Sequence, residues 1–241
     1  MIDTVLFDLD GTLLWMDEQR FIQTYFTALK VKFEQAGFQS SHLLDFIWSG
    51  LDAVRNNQGS QSNESAFWQR FLQLSHWKKA EVEPLFLHFY NHEFSQAQNT
   101  TKPFSNAFNL LNDLRSSNIR LILATNPIFP EVATKKRIGW AGLDPSCFSW
   151  ITTMENSFFA KPHPGYYQAI LSRFSIKPEQ CMMVGNDEKE DMIAGELGIH
   201  TYLVIDCLIP ETNKKATPNY RGTFSQMDMT LRSMLCRKKS Q

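Results

Sequence analysis

The stretch whose reading decides the fold is VLFDLDGTLL, residues 5–14. It begins as an apolar run of the kind that forms a strand buried on both faces of a parallel sheet. It then carries Asp8 and Asp10, two positions apart, followed by Gly11. Alternate residues of a strand face the same side. Two carboxylates near the strand's C-terminal end can therefore both point into the crevice where open α/β sheets bind ligands. Gly11 permits a sharp exit of the chain. Carboxylates this close repel, and burying them uncompensated is costly. A hard, oxygen-ligated cation such as Mg²⁺ is the simplest compensation, and it suits carboxylates and phosphate together. The competing reading is one capping Asp and one turn Asp.

Outward from this segment, further β-rich runs read as strands: Ile119–Ala124, Trp150–Thr153, Cys181–Val184 and Thr201–Ile205. Helical patterns separate them, in FSNAFNLLNDLRSS, PEVATKKRIGWAG, HPGYYQAILSRF and EDMIAGELG. Strands alternating with helices predict a Rossmann-like, doubly wound parallel sheet of the α/β class. One interval breaks the alternation. Between Leu14 and Gln98 no strand is evident, and four helical patterns follow one another. In the first, Phe21, Tyr25, Leu29 and Phe33 recur every four residues, with Phe26 and Val31 widening the face. Residues 1–14 and 99–241 are thus expected to form a discontinuous core, and 15–98 an inserted α-helical cap. The aromatics of the insert (Phe21, Tyr25, Phe67, Trp68, Phe71, Phe86, Phe89, Tyr90) read as packing residues. NNQGSQSN, residues 56–63, reads as a polar loop, and the last thirty residues read as loop-rich.

Composition narrows the classes. The chain has 241 residues, 43% of them hydrophobic and 20% charged, with a net charge of −1. A packed globular protein is expected, without the basic field that attracts nucleic acid or an acidic membrane. No run approaches the roughly 20 apolar residues of a membrane span. The N-terminal apolar run is interrupted by Asp8 and Asp10 and is not preceded by a basic segment, so a signal peptide is not expected. Cys147, Cys181, Cys207 and Cys236 form no C-x-x-C pair and read as free thiols of a cytoplasmic protein. The basic end CRKKS reads as a solvated tail.

Three more segments place polar groups at strand ends. LILATNP ends an apolar run in Thr125 and Asn126, where a hydroxyl and a neighbouring backbone N–H can bind a phosphate oxygen, although strand ends are often polar. AKPHPGYY holds Lys161 ahead of two prolines, which stiffen the entry to a helix. That lysine either neutralises phosphate charge or is an exposed turn residue. His163 between the prolines reads as a helix cap. CMMVGNDEKEDMIAG ends a strand in an acidic cluster. Glu188 and Glu190 read as the charged start of a helix, and Asp187 and Asp191 as metal ligation or its support.

In this order the segments resemble the four motifs of the haloacid dehalogenase-like hydrolase superfamily: DLDGT the first, LATN the second, Lys161 in AKPHP the third and GNDEKED the fourth. The resemblance spans the chain, helical cap included. It implies that Asp8 is a nucleophile forming an aspartyl-phosphate and that Asp10 is the general acid and base. It implies that Thr125, Asn126 and Lys161 hold the phosphoryl group. Mg²⁺ would be held by Asp8, the backbone carbonyl of Asp10 and Asp187, with Asp191 orienting a metal-bound water. In one respect the chain departs from the pattern. The family's fourth motif usually has Asp directly after Gly, where this chain has Asn186, so Asn186 is the alternative ligand. The family's dehalogenases and phosphonatases lack Asp at the position of Asp10. Its presence implies an Mg²⁺-dependent phosphatase acting on a small phosphorylated metabolite. A β-phosphoglucomutase-like phosphomutase and a catalytically inactive binding protein are the alternatives. Specificity is expected near Trp15, Met16 and Asp17 and in the 56–59 loop, whose asparagines read equally as turn formers or ligand contacts. Neither the substrate nor the oligomeric state is legible.

Overall fold

The computed structural model describes residues 2–212 and 217–238, with side chains to Met234. Six parallel strands form the main sheet: β1 (Thr4–Phe7), β4 (Arg120–Leu123), β5 (Trp150–Ile151), β6 (Cys181–Gly185), β7 (His200–Val204) and β8 (Tyr220–Gly222). Their order is β5-β4-β1-β6-β7-β8. β1 therefore lies between β4 and β6, with Phe7 level with Leu123 on one side and Val184 on the other. This adjacency brings the ends of three motif-bearing strands together. Both faces of β1 are covered, as its unbroken apolar run requires. Val5 and Phe7 pack into one buried cluster, and Leu6 packs into another with Tyr167 and Ile170 of α7 (Pro164–Phe174).

α7 begins as the sequence suggests. His163 is its N-cap, its ring accepting from the Gly165 N–H at 3.0 Å, and Pro164 opens the helix. The other core helices are α5 (Ala107–Ser116), α6 (Glu131–Trp140) and α8 (Phe224–Lys238). Two parts differ from the sequence reading. EDMIAGELG forms 3₁₀ turns at Met192–Leu197 rather than an α-helix, ending at Gly198 with φ +85°. The C-terminal region holds β8 and α8 rather than loop alone. Phe224, Met227 and Leu231 recur at i, i+3 and i+7 and are buried, so the amphipathic signal was present. The side chain of Cys236 and the basic end lie outside the described side chains.

The helical insertion leaves and re-enters the core through a two-stranded antiparallel ribbon absent from the sequence reading, β2 (Leu14–Met16) with β3 (Thr101–Pro103). Lys102 lies 4.2 Å above the Trp15 ring across it. Four helices follow β2: α1 (Glu18–Gln35), α2 (Leu43–Arg55), α3 (Asn63–Ser75) and α4 (Lys79–Asn91). Asp17 caps α1 by accepting from the Arg20 N–H at 3.2 Å, and Ser62 caps α3 through the Ser65 N–H at 3.2 Å. α1 buries Phe21, Tyr25, Ala28, Leu29 and Phe33. Val31 lies about 200° around the helix from Leu29 and is 45% exposed, so it does not widen that face. Phe33, Phe71 and Phe86 interlock edge to face, at centroid distances of 5.0 and 5.6 Å from Phe86. Each such ring contributes roughly 2–3 kcal/mol by leaving water.

The insertion sits against the core through the start of α3. The Asn63 N–H donates to the Ser157 carbonyl at 2.8 Å, and the Glu64 N–H to that of Met154 at 2.9 Å. The Asn63 amide donates to the Phe159 and Pro127 carbonyls at 3.1 and 3.3 Å. In the 56–59 loop, Asn56 and Asn57 serve the turn. Asn57 donates to the Gln61 carbonyl and to Asn63 Oδ1 and accepts from the Gly59 N–H, while Asn56 donates to the Asp52 carbonyl.

Candidate active site

β1 ends at Phe7, Asp8 follows it directly, and the chain then turns at Gly11, whose φ is +84°. A Cβ on Gly11 would stand 2.3 Å from Asn186 Nδ2. Glycine is therefore required twice over, for the backbone angle and for the approach of the loop after β6. Lys161 reaches Asp8 from the segment before α7. It is 1% exposed, and its Nζ donates to Asp8 Oδ1 at 2.9 Å and to Asp191 Oδ1 at 2.6 Å. Burial opposes its charge, but Asp191 and Asp8 outweigh that and hold it well above the usual lysine range. It is not the exposed turn lysine of the competing reading. It stands behind the carboxylates and does not itself line the cavity described below.

Asp10 has a partner that the motifs do not announce. Arg137 of α6, fully buried, donates from Nη1 to Asp10 Oδ2. Its guanidinium lies 4.3 Å from the Phe129 ring centroid and also meets the Ala133 carbonyl and the Thr134 hydroxyl, each at 3.4 Å. Asp10 Oδ1 is the one buried side-chain oxygen or nitrogen without a hydrogen-bond partner among the described residues. Burial raises Asp10 above the usual carboxylate range, against Arg137 and then Lys161, which lower it. Burial likewise raises Asp8, to about 7; Lys161 lowers it, and Asp191 and Asp10 add to the rise.

Thr125 and Asn126 follow β4 and line the same crevice. The Thr125 carbonyl accepts from the Thr152 and Tyr166 hydroxyls at 2.6 and 3.0 Å, which fixes the backbone there. Asn126 spans two motifs. Its Oδ1 accepts from the Lys161 N–H at 3.3 Å, and its Nδ2 donates to Glu190 Oε2 at 2.8 Å. Glu190 is therefore not the charged start of a helix. It is partly buried in the crevice, and burial pushes it up to about 8. Glu188 turns the other way, to the Glu211 N–H and toward Arg221.

The loop after β6 is tied on both sides. Asn186 Oδ1 accepts from the Thr12 hydroxyl at 2.9 Å, and its Nδ2 donates to the Cys207 carbonyl at 2.7 Å. The segment after β7 pairs with this loop through Ile209, a contact the sequence reading did not find. Asp187 lines the crevice, its Oδ1 accepting from the Lys189 and Glu190 N–H groups at 2.7 and 2.8 Å. Burial raises it also. Asp191 Oδ2 accepts from the Asp187 N–H at 3.0 Å. Gly185 is a second required glycine, because a Cβ there would fall 2.1 Å from Asp191 Oδ2. The structure thus brings Asp8, Asp10, Thr125, Asn126, Lys161, Asp187 and Asp191 to one end of the sheet.

All of these but Lys161 line a cavity of about 670 Å³ between this sheet edge and the helical insertion. Phe21, Tyr25, Phe67, Trp68, Phe86 and Tyr90 line it as well as packing in the insertion; Phe71 and Phe89 only pack. Met16 of the expected hinge also lines it. Carboxylates outnumber cations on its floor, and one oxygen of Asp10 is unpaired, a donor set that suits a hard divalent cation. Among the described residues no three His, Cys, Asp or Glu side chains form a ready metal cluster. A site of two carboxylates and one backbone carbonyl does not need one. Cys147, Cys181 and Cys207 are free, and burial pushes the Cys181 thiol up to about 12.

A doubly wound α/β fold with acids gathered at the C-terminal ends of its strands defines a class of enzymes that work at a switch point of the sheet. The comparisons place the chain within that class: residues 2–197 match the family model of the haloacid dehalogenase-like hydrolases, and the protein belongs to that family. It is therefore a hydrolase by family. Among curated relatives, the pyrophosphatase PpaX of Oceanobacillus iheyensis is 24% identical over 221 residues, covering 91% of both chains. Among solved structures, the 2-haloacid dehalogenase of Pseudomonas syringae superposes with a TM-score of 0.66 at 19% identity, covering 97% of this chain and all of that one. YfnB of Bacillus subtilis, a structure bound to magnesium, superposes with a TM-score of 0.57 at 19% identity, covering 95% and 98%. At these identities the structural likeness speaks for the fold alone. No described helix is long and apolar enough to cross a membrane.

Proposed function

We propose that this protein is a cytoplasmic Mg²⁺-dependent phosphatase that hydrolyses the phosphate monoester of a small metabolite through an aspartyl-phosphate on Asp8. The observation that carries the reading is the pairing at the floor of the cavity. Asp8 is held by Lys161 at 2.9 Å, and Asp10 stands beside it with one oxygen paired to Arg137 and the other unpaired.

Asp8 attacks phosphorus, forming one P–O bond as the ester P–O bond breaks. The leaving alkoxide takes a proton from Asp10, whose burial favours the protonated form needed for that step. Asp10 then accepts the proton of the water that attacks the aspartyl-phosphate, and orthophosphate leaves with Asp8 restored. A halide would need no such proton, so Asp10 separates this reading from dehalogenation. Lys161 keeps one Asp8 oxygen engaged, and Thr125 offers its hydroxyl to the phosphoryl oxygens. Mg²⁺, when bound, would be held by Asp8, the Asp10 carbonyl and Asp187, and would shield the nucleophile from the incoming dianion. Asp187 is preferred to Asn186 because both ends of the Asn186 amide are already engaged. Asp191 supports the site by fixing Lys161 and the Asp187 backbone.

The test is phosphate release from a panel of monoesters with Mg²⁺, beside Asp8→Asn. The proposal expects turnover that Asp8→Asn abolishes while circular dichroism is unchanged. An inert protein across the panel overturns the enzyme reading, and activity surviving in Asp8→Asn overturns the nucleophile. Isomerisation of hexose phosphates without phosphate release would identify a phosphomutase instead.

A further inference from the structure

The cavity above the carboxylates has a composition that narrows the substrate further. Its upper wall is aromatic and aliphatic, with Phe26, Trp48, Phe67, Trp68 and Phe86 supplied by the insertion. At its mouth Ile22, Trp48 and Leu87 are 37%, 39% and 53% exposed, three large apolar side chains left in water on the wall of one cavity. Such surface is costly unless a ligand covers it. The two tyrosine hydroxyls on this wall, of Tyr25 and Tyr90, bond to each other at 2.8 Å.

The charges that line the cavity point the same way. Beyond the catalytic floor come Glu18, Glu64, Glu83, Glu131 and Glu155. The cations among the described lining residues are Arg137, committed to Asp10, and Arg55, which pairs with Asp52 at 3.1 Å. Lys79 and Lys135, which do not line the cavity, pair with Glu83 and Glu131 at 3.1 and 2.8 Å, yet within the lining a second phosphate or a carboxylate on the substrate would meet an excess of carboxylates, with the half-exposed Arg55 the one described cation apart from Arg137.

We infer that the leaving group is an apolar, ring-bearing alcohol, and that the substrate carries one phosphate and no second anionic group. This rests on the phosphatase reading and deepens it. It also separates the chain's chemistry from that of diphosphate, an entirely anionic molecule with no carbon to bury.

The experiment compares ethyl phosphate with 2-phenylethyl phosphate, two primary-alcohol esters whose difference is chiefly the ring, alongside inorganic diphosphate and phosphoglycolate, all with Mg²⁺. The inference expects kcat/KM for the phenylethyl ester to exceed that for the ethyl ester by about 30-fold, carried mainly by KM, as burial of one ring implies. Diphosphate and phosphoglycolate are expected to fall below both. In Trp48→Ala, whose side chain stands at the exposed mouth, the phenylethyl-to-ethyl ratio should fall by roughly tenfold. Equal efficiency for the two esters, or a preference for diphosphate or phosphoglycolate, overturns this inference and leaves the phosphatase reading standing. Failure to turn over any ester removes the phosphatase reading itself.

Discussion

Replacing Arg137 by Met tests the link between a buried cation and the acid it faces. The guanidinium is 1% exposed and Asp10 is 27% exposed, so the pair is largely out of water. Removing one partner of a buried pair typically costs about 3–5 kcal/mol. The residual exposure of Asp10 brings the expectation down to about 2–4 kcal/mol, while Met keeps most of the packing against Phe129. The cost depends on pH. Burial already raises Asp10, and Arg137 is the larger of the two influences opposing that rise. Without Arg137 its folded pKa climbs further. An acid raised in the folded state carries its full penalty above the folded pKa and none below its unfolded value. Arg137→Met should therefore be most destabilising at pH 8 and much less so at pH 5. In the Asp10→Asn background its cost at pH 8 should shrink to about 1 kcal/mol. Urea titrations read by circular dichroism measure all four comparisons. The same variant should move the alkaline limb of the kcat/KM profile upward, because Asp10 would stay protonated to higher pH. A cost that is the same at both pH values and in both backgrounds would refute the reasoning and leave Arg137 a packing residue.

Two further perturbations follow from the same geometry. Gly185→Ala places a Cβ 2.1 Å from Asp191 Oδ2, and Asp191 cannot swing away without releasing Lys161 and the Asp187 N–H; a loss of about 3 kcal/mol in urea titrations is expected, and less than about 0.5 kcal/mol would contradict it. Asp8 is raised to about 7, chiefly by burial, so in metal-free protein its ionised form is penalised above that pH and not below about 4. Asp8→Asn with a chelator present should accordingly stabilise the protein at pH 8, by up to something on the order of 4 kcal/mol, and hardly at all at pH 4; equal or lower stability at pH 8 would contradict it.

The parts of this molecule that were legible in sequence are those where local pattern and function coincide. An apolar strand ending in two acids, as at Asp8 and Asp10, is locally inconsistent, and such inconsistency marks a site. The same holds for the polar ends of β4 and β6. Arg137 was not found, because a lone arginine in TKKRIGW looks like surface charge until the tertiary fold sets it opposite Asp10. A signal existed, since Ala133, Arg137 and Ala141 fall on one four-residue stripe and all are buried. Glu190 was misread because the chain after Gly185 looks like the start of a helix. Asp187 and Asp191 instead fold back on each other, and that turn delivers Glu190 to Asn126. The helical spacing of the insertion's aromatics favours packing over ligand contact. Periodicity reports which face of a helix is apolar, and it cannot report that part of that face borders a cavity.

The central claim is that Asp8 becomes phosphorylated during turnover. It is tested most directly by acid-quenching the protein with a slowly hydrolysed monoester and Mg²⁺, then mapping the trapped species by mass spectrometry. The account predicts one added phosphoryl group on the peptide that contains Asp8, labile to hydroxylamine and missing in Asp8→Asn. Steady phosphate release with no phosphorylated Asp8 at any quench time, or with the phosphoryl group on another residue, would contradict it.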